Sequence, residues 1–74
     1  MTVKIHPHGM LKEYIGGAAE TEVQAGRTVR QTIAVLGIPP EVVALVTVND
    51  QQQDKDYILQ DGEVVKLLAV IGGG

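Results

Sequence analysis

The clearest helix signal lies in the stretch Gly26-Arg27-Thr28-Val29-Arg30-Gln31-Thr32-Ile33-Ala34-Val35-Leu36-Gly37. Thr28 and Gln31 have the spacing of a capping box, in which each side chain satisfies a backbone N–H at the helix start. One apolar stripe follows at helical spacing: Val29, Ile33 and Leu36. Gly37 suits a left-handed C-terminal cap, and Pro39-Pro40 cannot continue a helix. The stretch therefore predicts one amphipathic helix that begins at Thr28 and ends before Gly37.

Two strand patterns precede this helix. Residues 3–8 alternate apolar and polar side chains, with Pro7 marking the end of the strand. Residues 20–25 alternate again and place Thr21, Val23 and Ala25 on one side. The residues between them, 10–19, predict a loop with about one helical turn, because Gly16-Gly17 stops any helix. We expect the two strands to pair as a hairpin.

Three further segments follow the helix. Residues 44–48 are β-branched and lead into a turn at Asn49-Asp50, which predicts a third strand. Residues 57–59 predict a short strand or turn after a polar stretch. Residues 64–71 are apolar on nearly both faces, which is typical of a strand in the middle of a sheet.

The order of these elements predicts an α+β fold. One helix can cover only one face of a sheet, so we expect a β-grasp (ubiquitin-like) domain with a mixed sheet of four to five strands. We expect the domain to span residues 1–71 and residues 72–74 to form a flexible glycine tail.

Size and composition exclude several classes of function. The chain has 74 residues, a net charge of −3, no Cys and only two aromatic side chains. Such a chain is too short for a deep substrate cleft and lacks the basic patches that nucleic acid requires. The longest apolar run, residues 67–71, is too short to cross a bilayer, and the N-terminus lacks a signal core. We predict a cytoplasmic protein that is not itself an enzyme.

The polar side chains form no clear catalytic pattern. His6 and His8 share a strand face but lack a third metal ligand, so we predict no metal site. Two acidic pairs, Asp54 with Asp56 and Asp61 with Glu63, could form a carboxylate site or a solvated loop, and without an enclosed pocket the loop is favoured.

The remaining feature is the tail Gly72-Gly73-Gly74. Glycines after a central strand contribute no packing and have the highest conformational entropy, so stability does not explain them. Without side chains they could enter a narrow channel and bring the carboxylate of Gly74 to another protein's nucleotide. The alternative is a frayed terminus without function.

The whole chain resembles the MoaD/ThiS-type ubiquitin-like sulfur carriers, which include the small subunit of molybdopterin synthase and the carrier of thiamine-thiazole synthesis. The matching motifs are Gly26-Arg27-Thr28-Val29, Leu36-Gly37-Ile38-Pro39, Val48-Asn49, Leu59-Gln60-Asp61-Gly62-Glu63-Val64-Val65 and Ile71-Gly72-Gly73-Gly74. Asp50 departs from the pattern, since the family often has Gly there.

The resemblance implies a function for Gly74. A ubiquitin-activating-like adenylyltransferase would use ATP to adenylate its carboxylate, and a sulfur donor enzyme would convert it to a thiocarboxylate. The protein would bind no cofactor itself. Its further partner would be a synthase large subunit or a thiazole synthase, so the acceptor, pterin or thiazole, stays open. A ubiquitin-like modifier joined to lysines, or a small binding module with an idle tail, are the alternatives.

We expect partners to dock on the sheet face that the helix leaves uncovered. Both alternating sets of the last strand are apolar, so its orientation is open. If Val65 and Leu67 face the helix, Leu68 and Val70 lie on the uncovered face beside Leu45. These three residues, Leu45, Leu68 and Val70, are the predicted partner-binding patch.

Overall fold

The computed structural model describes residues 1–69; the predicted tail and Val70 lie outside them. The strands and the α-helix are β1 (Thr2–Pro7), β2 (Thr21–Gln24), α1 (Val29–Val35), β3 (Val43–Val48), β4 (Gln51–Gln53) and β5 (Val64–Ala69). A 3₁₀ helix spans Gly9–Ile15, and a short 3₁₀ turn spans Pro40–Val42. No helix within residues 1–69 is long and apolar enough to span a membrane.

The five strands form one mixed sheet in the order β2-β1-β5-β3-β4. β1 and β5 are parallel, whereas the pairs β1/β2, β3/β5 and β3/β4 are antiparallel. The predictions of a hairpin between the first two strands and of a central last strand are therefore confirmed. β5 is paired on both sides, which explains why its sequence is apolar on nearly both faces.

The helix forms as its sequence predicts. The Gln31 N–H donates to Thr28 Oγ1 at 3.1 Å, and the Thr28 N–H donates to Gln31 Oε1 at 3.0 Å, which completes the capping box. At the other end Gly37 has φ 81°, and the Ile38 N–H donates to the Ile33 carbonyl at 2.9 Å. This is the Schellman pattern, which satisfies carbonyls that the helix leaves free.

The core lies between α1 and one face of the sheet. Its buried apolar residues are Val3, Ile5, Leu11, Val29, Ile33, Ile38, Val43, Val46, Val48, Leu59, Val65 and Leu67. Strands β1, β3 and β5 contribute to this cluster, and Val23 of β2 packs against its margin. The opposite sheet face carries no helix among residues 1–69, and we call it the open face.

The sequence predicted a short strand or turn at residues 57–59, and the strand alternative is wrong. Residues 57–59 form no strand, and only an isolated bridge joins Ile58 to Thr28. The strand is instead Gln51–Gln53, because Asn49 and Asp50 adopt φ 50° and 68° in a two-residue hairpin turn that places Gln51 opposite Val48. A strand at the edge of a sheet can form through backbone hydrogen bonds to one neighbour, so the three polar glutamine side chains do not prevent β4 from forming.

The segment between β1 and β2 is more ordered than predicted. Where the sequence suggested a loop with about one turn, the chain forms the 3₁₀ helix over residues 9–15. Leu11 anchors it by inserting fully into the core. Gly16, at φ 73°, then ends the helix in the left-handed conformation.

Candidate functional site

The predicted patch residues Leu45 and Leu68 are direct cross-strand partners in β3 and β5. Val65 and Leu67 are fully buried toward α1, so the alternation along β5 places Leu68 on the open face. Leu45 and Leu68 are both half-buried. The structure therefore brings these two side chains together; Val70, the third member of the patch, lies outside the described residues.

Polar groups surround this apolar pair on the open face. Lys66, two residues before Leu68, donates to Asp50 Oδ1 at 2.9 Å. On β1, His6 Nε2 lies 3.4 Å from a carboxylate oxygen of Glu20. The open face thus combines an apolar pair with charged side chains, a composition suited to a separable protein contact.

The Asp50–Lys66 pair accounts for one departure from the family pattern. Asp50 lies in the left-handed region, which Gly adopts without strain. Its carboxylate instead reaches across the turn to Lys66 in the central strand. A glycine would relax the backbone but leave Lys66 without this partner.

The two ends of β5 differ in what surrounds them. We call the end at Val64 the closed end and the end at Ala69 the tail end, since residues 70–74 follow Ala69. At the closed end, the Val64 N–H donates to Asn49 Oδ1 at 3.0 Å, and the Asn49 N–H donates to the Val64 carbonyl at 2.8 Å. The Gly62 N–H also donates to the carbonyl of Thr2 at 2.9 Å.

Two of the acidic residues hold the closed end together. Asp61 Oδ1 accepts the Thr2 N–H at 3.0 Å. Glu63 accepts the Tyr57 hydroxyl and the Gln60 N–H, both at 2.6 Å. The hydrogen bond to Glu63, followed by burial and by the negative charge of Glu63, raises the pKa of Tyr57 above its usual value. These carboxylates order the loop, so their role is structural rather than catalytic.

The second acidic pair and the histidines form no chemical centre either. Asp54 accepts the Asp56 N–H at 2.9 Å in a local turn, and Asp56 lies 3.4 Å from Arg30 at the surface. Within residues 1–69, His6 pairs with Glu20. Residues 1–69 contain no group of three or more side chains suited to hold a metal ion.

At the tail end, the 3₁₀ helix lies against β5. The His8 N–H donates to the Leu67 carbonyl at 3.0 Å, which continues the parallel pairing of Pro7 with Leu67. On the other side of β5, Val43 pairs with Ala69. The position from which the tail continues is therefore held between the 3₁₀ helix and the start of β3.

A five-stranded mixed sheet, one α-helix on a single face and a central last strand define a ubiquitin-like β-grasp protein. A family model described as the ThiS family matches residues 8–74. The chain therefore belongs to the ThiS family, within the MoaD/ThiS type of ubiquitin-like sulfur carriers that its motifs resemble. A search of curated proteins gives no match.

Several solved structures share the fold of this chain. A complex of subunits 1 and 2 of molybdopterin-converting factor from Helicobacter pylori matches with TM-score 0.64 and 24% identity, covering 100% of each chain. The BexX/CysO complex of Amycolatopsis orientalis matches with TM-score 0.67 and 23% identity, covering 97% of this chain and 99% of the other. SAMP1 from Haloferax volcanii matches with TM-score 0.69 and 17% identity, covering 100% of both.

Proposed function

We propose that this protein carries sulfur as a thiocarboxylate on Gly74 and donates it in the synthesis of a cofactor. The observation that carries the proposal is the ThiS family match, which extends to residue 74. The proposal takes Gly74 as the terminal residue, so that its carboxylate is the reacting group.

The chemistry follows from the weakness of a carboxylate as an acyl donor. An ATP-dependent adenylyltransferase joins the Gly74 carboxylate to AMP and releases pyrophosphate. The outer sulfur of a donor enzyme's persulfide then attacks the acyl carbon and displaces AMP, which gives an acyl disulfide. A thiol attacks the donor enzyme's sulfur in this S–S bond, which leaves the thiocarboxylate on Gly74 and a disulfide between the thiol and the donor. The chain contains no Cys, so the sulfur comes from another protein. ATP is bound by the partner and not by this chain.

The fold supports such a role because it fixes where the tail begins. Ala69 is paired to Val43 in the sheet, so the residues beyond it start from a rigid position. Three glycines without side chains suit passage through a narrow channel of an enzyme. Because the tail starts from the rigid sheet, a partner that binds the folded domain can also orient the Gly74 carboxylate.

We place the main partner contact on the patch Leu45, Leu68 and Val70. The apolar pair Leu45 and Leu68 lies on the open face, in the strand that leads to the tail and in its neighbour. The solved complexes of molybdopterin-converting factor subunits and of BexX with CysO are examples of this fold bound to another protein. A synthase large subunit or a thiazole synthase would receive the sulfur through the same contact.

Intact-mass spectrometry tests the thiocarboxylate. The protein is incubated with the host adenylyltransferase, ATP and a persulfide donor. We expect a mass gain equal to replacing one oxygen by sulfur, and none for a variant lacking Gly73 and Gly74. An unchanged mass for the intact protein would contradict the proposal, and adducts on lysines of other proteins would indicate a modifier instead.

Substitution of Leu68 by Glu tests the patch. A buried charge opposes docking, so we expect Leu68→Glu to lower the efficiency of adenylation by about tenfold or more while the domain stays folded. Gln52→Glu adds the same charge to the open face, on the edge strand, and is the matched control. Equal adenylation of both variants would exclude the patch, and unfolding of Leu68→Glu would assign Leu68 to the core instead.

A further inference from the structure

The 3₁₀ helix carries an exposed apolar surface that the sequence did not predict. Leu11 is fully buried, but its neighbour Met10 is 54% exposed and Tyr14 is 38% exposed. Together with Glu13 they line a shallow groove of about 310 Å³. Exposed apolar side chains next to one another are typical of a protein contact, whereas single ones need no explanation.

This groove lies at the end of the sheet from which the tail starts. β1 and β5 run parallel, and Pro7 at the end of β1 pairs with Leu67 near the end of β5. The segments that follow the two strands therefore start at the same end of the sheet. The first becomes the 3₁₀ helix, which packs against β5. The second becomes the tail.

The length of the tail limits how far away a partner can be. Residues 70–74 link Ala69 to the proposed reacting carboxylate of Gly74, and a fully extended chain of that length spans at most ~18 Å. An enzyme that acts on Gly74 must therefore bring its catalytic centre within that distance of Ala69. The 3₁₀ helix that carries Met10 and Tyr14 packs against β5 at this end, so both side chains are available to a protein surface that close.

We propose that Met10 and Tyr14 form a second contact surface, which binds an apolar side chain of the adenylyltransferase while the tail occupies its active site. This inference rests on the proposed function and adds a residue-level contact outside the open face. The contact adds a second point of attachment, outside the open face, that helps to orient the domain about the tail.

Steady-state adenylation kinetics test this surface with the double variant Met10→Ser, Tyr14→Ser. The contact is remote from the reacting carboxylate, so its loss removes binding without altering the chemical step. We expect KM for the carrier to rise about tenfold while kcat changes by less than about twofold. Ile58→Ser is the matched control, because Ile58 is 51% exposed and lies in the loop beside the start of α1.

Each outcome decides between the inference and the function on which it rests. If the wild-type protein is not adenylated, the proposed function fails. If it is adenylated and the double variant has the wild-type KM, only the surface is refuted. The same holds if Ile58→Ser raises KM equally, because the effect is then not specific to the groove.

An NMR experiment covers the case in which the double variant does not fold. The amide signals of residues 9–15 in the wild-type protein are followed as the adenylyltransferase is added. We expect selective broadening or shifts there, and unchanged signals would refute the surface. Shifts that depend on carrier concentration without enzyme would show a second copy in the groove and would also refute it.

Discussion

The closed end and the tail end of β5 are stabilised by different interactions. At the closed end, polar side chains bind the backbone: Asn49 pairs with Val64, Asp61 with Thr2, and Glu63 with Gln60. At the tail end, the 3₁₀ helix makes no side-chain hydrogen bond at its N-cap and is anchored by the apolar side chain of Leu11.

The difference between hydrogen bonding at the closed end and apolar packing at the tail end has a consequence for binding. Hydrogen bonds from side chains hold the closed end in one geometry, because each polar partner must be matched. Apolar packing is less directional, so it can anchor the tail end while Met10 and Tyr14 remain available to another protein. At the tail end, the buried side chain of Leu11 anchors the 3₁₀ helix, so a change there should have the largest effect.

Leu11→Ala should have the largest effect. The side chain is fully buried, and its loss leaves a cavity, so we expect a decrease of about 2–5 kcal/mol in the free energy of unfolding. For a domain of this size, urea unfolding followed by circular dichroism measures the change directly.

Met10→Ala is the matched control, since Met10 precedes Leu11 in the same helix but is exposed. We expect a change of less than about 0.5 kcal/mol for this variant. Similar losses for the two variants would show that the tail end does not depend on Leu11 as an anchor.

Tyr57→Phe should have a smaller effect that depends on pH. The Tyr57 pKa is raised, first by the hydrogen bond to Glu63, so the folded state favours the neutral phenol. This contribution is complete below the unfolded pKa near 10 and is lost as the pH rises through the folded pKa. We expect the wild-type stability to fall more steeply above about pH 10 than that of Tyr57→Phe.

Unfolding by urea at several pH values between about 8 and 11 measures these slopes. Tyr14→Phe is the control, because it leaves the bond between Tyr57 and Glu63 intact and should keep the wild-type slope. An identical slope for Tyr57→Phe would show that Glu63 does not favour the neutral phenol at the closed end.

Local sequence signals predicted those elements whose geometry depends on neighbouring residues. The capping box of Thr28 and Gln31 and the glycine cap at Gly37 form as predicted, because their partners lie within a few positions. Residues 57–59, predicted as a short strand or turn, form no strand, because Leu59 packs in the core while the backbone of this segment binds the helix start. The sequence of β4, Gln51–Gln53, has no apolar residues, so no alternating pattern predicts a strand there. The hairpin turn at Asn49 and Asp50 places it beside β3.

The candidate site was predictable only in part. The tail and the pairing of Leu45 with Leu68 were expected from the family pattern and from alternation. The exposed surface at Met10 and Tyr14 was not predicted, because Gly16 and Gly17 favoured a loop in this segment. A loop gave no reason to expect that Leu11 anchors a helix in the core. Leu11 and Tyr14 at helical spacing were the available signal.

By itself, the sequence determined the single helix, the central last strand and the glycines at its end, since each is encoded by residues close together in the chain. Only the tertiary structure decided which face of β5 is buried, because both alternating sets are apolar and the choice depends on where α1 packs. It also placed the 3₁₀ helix beside the start of the tail, through parallel pairing of strands about sixty residues apart. Contacts between such distant segments depend on topology, which local residue patterns do not specify.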